Sequence, residues 1–419
     1  MAPETADALA ARLAEDAAER FLRYVRIDTQ SDEDSLTYPS TAKQLDLLRL
    51  LRDELEQIGL ADVELDEHGY VTATLPATVE HDVPAIAFFA HVDTAREVTG
   101  ANVNPRRFRY EGREIRLGDS GQTIRPEESP ELPNHVGHEL IVTDGTTLLG
   151  ADDKAGVAEI MAAAAHLAAH PELPHGPVKV AFNPDEEVGR GVSHFPLDRF
   201  GATAAYTVDG STAGELQSET FSGMQVVMRI HGRAIHPGVA KGELVNAIKL
   251  AAEIVSRLPA DRLSPETTDG REGYVHPALI EGNASEVELR FIARDFENDL
   301  LDEHVAFLRG LAEEVAAAEP RCSIEVESRV QYRNMRDTVQ QHPEIVANLE
   351  EAIRRVGLEP QRTAIRGGTD GSALTEMGLP TPNIFTGGHD AHSEREWICV
   401  EDMGLAAATL VELARVWAE

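Results

Sequence analysis

The chain has 419 residues, of which 42% are hydrophobic and 26% are charged, the proportions of an ordinary folded, soluble protein. Acidic residues outnumber basic ones 73 to 38, which gives a formal net charge of −35. Such a field repels nucleic acids and anionic membrane surfaces, so the sequence predicts neither as a partner.

The length exceeds what one hydrophobic core usually serves, so we expect two domains. Only two cysteines occur, Cys322 and Cys399, which argues against a disulfide framework and indicates a reducing compartment. The N-terminal stretch lacks the basic segment of a signal peptide, and no run of 18 apolar residues occurs anywhere. These features predict a cytoplasmic protein without a membrane span.

The first half of the chain predicts alternating helices and strands. The N-terminal segment is typical of an amphipathic helix capped by Thr5, and a second helix over residues 45–59 ends at Gly59. Short strands follow at VELDE and YVTATLP. The apolar runs AIAFFA, VKVAF and AAYTV are typical of buried parallel strands, and the Ala-rich segment 155–170 between them predicts a helix. We therefore expect an α/β fold with a mixed, mostly parallel sheet and helices on both faces.

The pattern changes after residue 220. It predicts a strand at MQVVMRIH, a helix over residues 243–258, two strands near 274–280 and 286–294, a helix over 298–317 and a strand at CSIEVESRV. This βαββαβ order is that of a ferredoxin-like unit. The α/β pattern resumes with a helix over 342–357 and ends with one over 401–418. We therefore predict a first domain over residues 1–219 and 334–419, with residues 220–333 inserted into it.

Polar side chains follow the apolar strands at the carboxyl ends, where open α/β sheets bind ligands. His91 and Asp93 come directly after AIAFFA. Because residues i and i+2 of an extended chain point the same way, Asp93 can hydrogen-bond the ring of His91 and orient it toward a metal. Taken alone, this motif is better explained by a surface pair at a strand end.

The other candidates at strand ends or helix starts are Asp152 and Asp153 of GADDKAG, the acidic run Asp185, Glu186 and Glu187 after VKVAF, Asp209 after AAYTV, and His389 and His392 of TGGHDAHSEREW. Each alone could be a solvated loop charge or a helix cap. Their coincidence at successive strand ends predicts a site for two metal ions. Imidazole and carboxylate ligands without cysteine suit zinc, with manganese or cobalt possible. Of two adjacent glutamates, one could then hold metal and the other accept a proton from an activated water.

The motifs HVD, GADDKAG, DEEVG, VDG and the late Gly-Gly-x-x-x-His pattern resemble those of the co-catalytic di-zinc exopeptidases, the family that includes carboxypeptidase G2 and acetylornithine deacetylase. The likeness extends over nearly the whole chain, with stretches such as TDGTTLLGADDKAGVAEIM and RGGTDGSALTEMGLPTPNIFTGG. It implies a zinc-exopeptidase fold with an inserted lid and dimerisation domain, and hence a homodimer. The long segment between His91 and Asp152 is similar to that of the members that cleave tripeptides. The resemblance thus implies a metal-dependent aminopeptidase that releases the N-terminal residue from tripeptides.

The resemblance also assigns roles to residues. It places His91 and Asp209 on one Zn²⁺, Glu187 and His392 on the other, and Asp152 between them. It makes Glu186 the general base that activates the bridging water, and Asp93 the residue that orients His91. In this family the peptide bond after the bridging aspartate is often cis, which here is Asp152–Asp153. Because His389 lies three residues before His392, it is an alternative ligand in the same loop.

Four residues of the predicted inserted domain resemble substrate-binding residues of the family. His236 of HPGVAKG would stabilise the tetrahedral oxyanion, and Arg294 and Asn246 would bind the substrate carboxylate or backbone. Lys241 and the loop over residues 367–370 are weaker candidates. Alternatively, Arg294 pairs with Asp295 or Asp299, and His236 is a turn residue.

Two other functions remain open on the sequence. A dipeptidase or an N-acyl amino-acid amidohydrolase could use the same scaffold and metals, because specificity depends on a few pocket residues. A catalytically silent binding protein on this scaffold is the other alternative. It would be indicated by a missing metal ligand or a missing Glu186, and all these positions are occupied.

Overall fold

The computed structural model describes residues 5–419, so the first four residues of the predicted N-terminal segment lie outside the described residues. The α-helices in chain order are α1 Ala6–Tyr24, α2 Gln44–Ile58, α3 Ala151–Ala169, α4 Leu197–Phe200, α5 Ala247–Ser256, α6 Asn298–Ala318, α7 Arg336–Val339, α8 Pro343–Arg355, α9 Asp370–Glu376 and α10 Val400–Val416. Within the described residues, none of these helices has the length and apolar character needed to cross a membrane.

The β-strands are β1 Ala61–Leu65, β2 Val71–Leu75, β3 Ile86–His91, β4 Arg106–Arg109, β5 Ile115–Arg116, β6 Thr123–Ile124, β7 Glu139–Val142, β8 Val178–Asn183, β9 Ala204–Gly210, β10 Glu215–Thr220, β11 Ser222–His231, β12 Tyr274–Gly282, β13 Glu286–Asp295, β14 Ser323–Tyr332, β15 Gln361–Ile365, β16 Asn383–Phe385, β17 Gly388–His389 and β18 Trp397–Cys399. Short 3₁₀ helices occur at Leu132–His135 and Pro237–Val239.

The chain forms two compact units. The first unit consists of the described residues up to Ser218 together with Met335–Thr363 and Thr369–Glu419. The second unit consists of Glu219–Asn334 and Ala364–Gly368. The chain therefore leaves the first unit, builds most of the second, returns, and adds one more short segment to the second before it ends in the first.

An eight-stranded sheet with the order β1-β2-β8-β3-β9-β16-β10-β15 forms the centre of the first unit. Strands β8, β3, β9 and β16 are parallel to one another, whereas β2 and β10 pair antiparallel with them. Every residue of β3 is buried, as expected for a strand covered on both faces. Helices α2, α3 and α9 pack against this sheet, and α1 packs against α3 and α10. The predicted α/β fold with a mixed sheet is confirmed.

Local capping explains where several helices begin and end. Thr5 caps α1 by accepting a hydrogen bond from the Ala8 amide at 3.3 Å, as predicted. Helix α2 ends at Gly59, whose φ of +94° is the left-handed conformation that glycine adopts freely. Helix α5 begins at Ala247, later than predicted, because the Asn246 side chain accepts from the Ile248 amide at 3.0 Å and acts as the N-cap.

The second unit has the order β11-α5-β12-β13-α6-β14, and its strands form a sheet in the order β12-β13-β11-β14. Neighbouring strands are antiparallel throughout. Helices α5 and α6 pack on this sheet around buried side chains that include Phe291, Leu289 and Leu308. This is the ferredoxin-like arrangement that the sequence predicted.

The sequence reasoning missed a smaller sheet in the first unit. Strands β17, β18, β7 and β4 pair in that order, and β5 and β6 form a hairpin beside them. Their apolar side chains surround the fully buried Trp397. These strands have two to four residues each, too few for an alternating pattern to be recognised.

Candidate metal centre and active site

His91 is the last residue of the central strand β3, and its ring is almost completely buried. Its Nδ1 lies 3.1 Å from the backbone oxygen of Asp93 and 3.3 Å from the Asp93 carboxylate. The opposite nitrogen, Nε2, lies 3.0 Å from Asp152 Oδ1 and 3.9 Å from Asp209 Oδ1. One nitrogen is therefore held by the chain, and the other faces carboxylates.

Asp152 lies in an irregular turn at the start of α3. Its φ and ψ are not helical, and the peptide bond to Asp153 is cis, as the family resemblance implied. Its two oxygens face different histidines: Oδ1 lies 3.0 Å from His91 Nε2, and Oδ2 lies 3.2 Å from His392 Nε2. A single carboxylate thus connects two imidazoles on opposite sides.

His392 comes from the loop between β17 and β18 and has a positive φ of 60°. Besides Asp152, its Nε2 lies 3.1 Å from Glu187 Oε1. The structure therefore brings together two groups of ligand-type atoms that share Asp152, one with His91 and Asp209 and one with His392 and Glu187. All five predicted metal-ligand residues belong to these groups.

Asp153 is a further carboxylate near His91, and its position suits a ligand by distance. Its two oxygens, however, accept hydrogen bonds from the backbone amides of His91 and Gly156, both at 3.2 Å. The motif GADDKAG has a glycine at position 156, because a Cβ there would lie 1.8 Å from the Val208 oxygen of β9. Asp153 thus joins α3 to the end of β3.

The three acidic residues that follow β8 differ in their hydrogen-bond partners. Asp185 is fully buried and accepts from the Ser40 amide at 2.7 Å and from the Gln44 side chain at 2.8 Å, so it anchors an earlier loop. The amides of Glu186 and Glu187 donate to the two oxygens of Asp93 at 3.0 and 3.2 Å. Asp93 therefore fixes the backbone that carries both glutamates.

Glu187 and Glu186 then have different surroundings. Glu187 faces His392, as described above. Glu186 lines a small internal cavity together with His91, Asp209 and Asp370. Asp370, the first residue of α9, accepts a hydrogen bond of 2.6 Å from the Asn183 side chain. Glu186 is thus beside the candidate ligands without taking part in the contacts that link them.

Glu396 is a site residue that the sequence reasoning missed. Its Oε2 accepts the amides of Leu149 and Gly150, both at 2.7 Å, and its Oε1 accepts the amide of Asp152 at 3.1 Å. The side chain is 2% exposed. Glu396 therefore holds the turn that presents Asp152. Its only signal in the sequence was its place in the loop that carries His392.

Charge in the site is strongly unbalanced. Burial raises the pKa of Glu186 well above its usual range, and burial together with the charge of Asp152 does the same for Asp209 and brings the pKa of Glu187 to about 7. Hydrogen bonds with Asp152 and Glu187 raise the pKa of His392 to about 11. Two imidazoles cannot neutralise this many buried carboxylates, so added positive charge would stabilise the cluster.

The residues present fit two divalent cations. Imidazole nitrogen and carboxylate oxygen are the ligands that zinc and its neighbours accept, and Asp152 offers one oxygen to each side. Cysteine is absent from this cluster, since Cys322 belongs to the second unit and Cys399 contacts other residues. The donor set therefore agrees with the metal pair expected from the sequence.

His389, the alternative ligand, points to different partners. Its ring stacks on Trp397 at a centroid distance of 4.3 Å, and its Nδ1 lies 3.1 Å from the Ser211 hydroxyl. Burial lowers its pKa to about 3. The loop thus uses His389 to pack against the small sheet and places His392 beside Asp152.

The predicted substrate-binding residues lie in the second unit. His236 and Lys241 are exposed, and His236 Nδ1 accepts from the Gly238 amide at 3.1 Å, the turn contact that was its alternative reading. The Asn246 side chain caps α5. These three residues lie in the segment that leads to α5. Unlike the residues around Asp152, they form no cluster of side chains in contact with one another within the described residues.

Arg294 on β13 is buried, with 9% of its surface exposed. Its guanidinium lies over the Tyr332 ring at 5.0 Å, and one nitrogen donates to the Ala293 oxygen at 3.0 Å. Within residues 5–419 it forms no ion pair with Asp295, which instead lies 2.9 Å from His304 Nε2. The guanidinium therefore keeps donors that no carboxylate of the described chain uses.

The chain is similar to known peptidases in sequence and in fold. The model of peptidase family M20/M25/M40 matches residues 133–416. Peptidase T of Geobacillus thermodenitrificans is 49% identical over 401 residues, which cover 95% of this chain and 97% of that protein. The crystal structure of aminopeptidase PepT from Bacillus cereus has a TM-score of 0.75 and 25% identity, over 97% of this chain and 99% of that one. A tripeptidase from Staphylococcus aureus, at 23% identity, shares the fold with a TM-score of 0.76 over 97% and 98% of the two chains.

Proposed function

The chain belongs to peptidase family M20/M25/M40 and is a metal-dependent exopeptidase, and from that premise we propose that it is an aminopeptidase that removes the N-terminal residue of tripeptides. The observation that carries the proposal is Asp152, whose two oxygens lie 3.0 and 3.2 Å from the Nε2 atoms of His91 and His392. The likeness to peptidase T over 95% of the chain supports the choice of substrate.

We propose that the site holds two Zn²⁺ ions, which Mn²⁺ or Co²⁺ could replace. His91 and Asp209 would bind one ion, Glu187 and His392 the other, and Asp152 both. When bound, such a pair polarises the scissile carbonyl and makes a water molecule acidic enough to be deprotonated near neutral pH. The separate groups around His91 and His392 support this division of ligands.

Glu186 is the proposed general base. It lines the cavity beside His91 and Asp209, and its carboxylate is free of the contacts that link the ligands. It would accept a proton from the attacking water and return it to the leaving amine nitrogen, so one carboxylate serves both steps of peptide hydrolysis. Asp93 would support both functions, because it holds the amides of Glu186 and Glu187 and contacts the ring of His91.

The remaining parts of the proposal concern the domains. Residues 1–219 and 334–419 would form the catalytic domain, and residues 220–333 a lid and dimerisation domain. His236 would stabilise the tetrahedral oxyanion, while Arg294, Asn246 and Lys241 would bind the ends and backbone of the peptide.

A homodimer through residues 220–333 is supported by apolar side chains on the surface of the second unit. The exposed large hydrophobic residues there include Ile235, Val239, Ile248, Leu279, Ile280, Leu300 and Val330. A contiguous patch of such residues would be typical of an interaction surface. The free cysteines and the acidic composition agree with a cytoplasmic location.

A substrate panel tests the proposal. Zinc-reconstituted protein is given a tripeptide, the corresponding dipeptide and tetrapeptide, and the N-acetylated tripeptide, and the released amino acids are identified. We expect selective cleavage of the free tripeptide at its N-terminal residue. Preference for the dipeptide or the acetylated substrate would instead support a dipeptidase or an amidohydrolase. No cleavage with both metals bound would indicate a silent binding protein.

A further inference from the structure

A second group of metal-ligand side chains lies in the first unit, away from the carboxylate site. This group, called here the histidine–cysteine cluster, consists of His135, His138, Cys399 and Asp402. Each residue offers one ligand atom, and these atoms all lie within 4.8 Å of one another. We propose that the histidine–cysteine cluster binds one Zn²⁺ ion with a structural role, in addition to any catalytic metal.

The local backbone presents these side chains as two closely spaced pairs. His135 ends a 3₁₀ helix, and the His138 amide donates to the His135 oxygen at 2.9 Å, which closes a tight turn. Cys399 is the last residue of β18 and the N-cap of α10, and Asp402 lies in the first turn of that helix. The pattern is therefore His-x-x-His and Cys-x-x-Asp. Ligand pairs separated by two residues are a common arrangement in structural zinc sites.

The small sheet brings the two pairs together. Strand β18 pairs antiparallel with β7, and Cys399 lies opposite Leu140, just after the His-x-x-His turn. The resulting distances are 3.7 Å from Cys399 Sγ to His138 Nδ1 and 3.7 Å from Asp402 Oδ2 to His135 Nδ1. Around a tetrahedral zinc ion, such atom pairs would be about 3.3–3.6 Å apart. A slight inward movement of these side chains would thus complete the site.

Three buried polar atoms of the cluster lack a hydrogen-bond partner within the described chain. Within residues 5–419, neither ring nitrogen of His135 nor Oδ2 of Asp402 accepts or donates a hydrogen bond. Yet His135 is only 7% exposed and Asp402 only 4%. Buried polar groups without partners are unfavourable, and native proteins rarely keep several side by side. A cation would satisfy them together.

The chemistry of the donors selects the ion. A thiolate with two imidazoles and a carboxylate suits zinc, and four protein ligands leave no open position for a substrate. Ionised Cys399 and Asp402 would carry two negative charges and balance Zn²⁺. Glu401 lies behind the site, where it accepts the Glu139 amide at 2.9 Å and its carboxylate is 3.6 Å from Cys399 Sγ.

An ion at this position would act on the loop that carries His392. The His135 ring packs edge-on against Trp397 at 5.1 Å, and the Trp397 indole donates to the Asp390 carboxylate at 3.2 Å. Zinc would join the His-x-x-His turn to the start of α10. It would thereby fix the His135 ring and the strand that carries Trp397 relative to each other. Loss of this zinc ion should lower the thermal stability of the protein and leave the positions of the catalytic carboxylates largely unchanged.

Metal content and cobalt spectroscopy test the proposal without using activity. We expect the Asp152→Ala/His392→Ala double variant, which lacks two catalytic ligands, to retain one metal ion after it is loaded with zinc and desalted. Protein loaded with Co²⁺ should show a thiolate-to-cobalt charge-transfer band, which the carboxylate site cannot produce because it contains no cysteine. Cys399→Ser should abolish the band.

Cys322→Ser is the matched control, because this other cysteine lies in the second unit and should leave the band unchanged. If Cys399→Ser fails to fold, His138→Ala keeps both cysteines and should still lose the zinc ion. The proposal is overturned if wild-type protein shows no thiolate band with Co²⁺, or if the band persists in Cys399→Ser and disappears in Cys322→Ser. If none of the peptides in the substrate panel is cleaved, the proposed function fails, but the metal content and the cobalt band still test this proposal.

Discussion

The candidate metal ligands of the first unit and the candidate substrate-binding residues of the second unit are held in different ways. Among the candidate ligands, His91 is 3% exposed, and its ring contacts Asp93, a fully buried residue that orients it. His236 and Lys241 are exposed, and the Asn246 side chain accepts from the Ile248 amide as a helix cap. Catalytic groups require fixed distances, whereas binding groups must be reachable by substrate. Substitutions in the first unit should therefore affect kcat or metal binding, and those in the second unit should mostly affect substrate recognition.

The largest effect is expected for Glu186→Ala. Because Glu186 would move the proton without holding metal, kcat should fall by about 10²–10⁴-fold while the metal content stays unchanged. Steady-state kinetics and elemental analysis of the same sample measure both quantities. Glu187→Ala is the matched comparison and should lose metal. Equal metal loss in the two variants would contradict the separation of roles.

His236→Ala is expected to follow, with a fall in kcat of about 10²–10³-fold and little change in KM, as for the loss of one oxyanion donor. This would make His236 an exception among the exposed residues, one that acts on the transition state. Lys241→Ala, also exposed, is the control and should change kcat little. A rise in KM alone would place His236 among the residues that only bind substrate.

Glu396→Gln should weaken metal binding about 10–100-fold, as is usual when a residue that orients a metal ligand is changed. Glutamine cannot accept all three amide hydrogen bonds that hold the Asp152 turn. Activity should return when excess zinc is added, which separates this variant from Glu186→Ala. Glu394→Gln, in the same loop, serves as the control. Activity that zinc does not restore would show that Glu396 acts in another way.

Arg294→Lys should raise KM for tripeptides about tenfold with kcat nearly unchanged, because lysine lacks the planar fork that binds a carboxylate through two parallel bonds. A tripeptide amide, which lacks the terminal carboxylate, should show no difference between wild type and variant. Arg290→Lys on the same strand is exposed and paired with Glu288, and should have no effect. An equal KM rise for the amide would argue against carboxylate binding.

The smallest effect concerns stability and not catalysis. Burial, with help from Arg12 and His170, lowers the pKa of His166 on α3 to about 4. The unfolded chain therefore binds a proton at this position between about pH 6.5 and 4 that the folded protein does not, and stability falls as the pH drops through this range. His166→Gln should make the fall in Tm shallower, as measured by calorimetry at several pH values. An unchanged slope would assign the acid sensitivity to other groups.

Much of the fold could be predicted because each long element carries its own signal. The βαββαβ order and the buried strands around β3 follow from local patterns of apolar residues. The strand ends also indicated His91 and Asp209, and the start of the Ala-rich helix indicated Asp152, since the edge of a parallel sheet brings such positions together. What a strand end does not reveal is which carboxylate faces which histidine.

The parts that could not be predicted depend on contacts between distant segments. Glu396 accepts hydrogen bonds from the amides of Leu149, Gly150 and Asp152, which precede it by more than 240 positions. Asp185 differs from the two glutamates beside it by its hydrogen bonds with Ser40 and Gln44. The histidine–cysteine cluster joins residues more than 250 positions apart. No spacing rule along the sequence connects such pairs, and the strands that unite them are too short to be recognised.

The interrupted first unit has a consequence for how the protein is made. Strand β16, which lies between β9 and β10 in the main sheet, and α10, which packs against α1, both come from the last part of the chain. A chain still on the ribosome therefore presents β9 as an unfinished edge, while residues 219–334 have already emerged with nearly a complete unit of their own. During synthesis, the second unit can fold early, and the metal centre is assembled last, when His392 arrives.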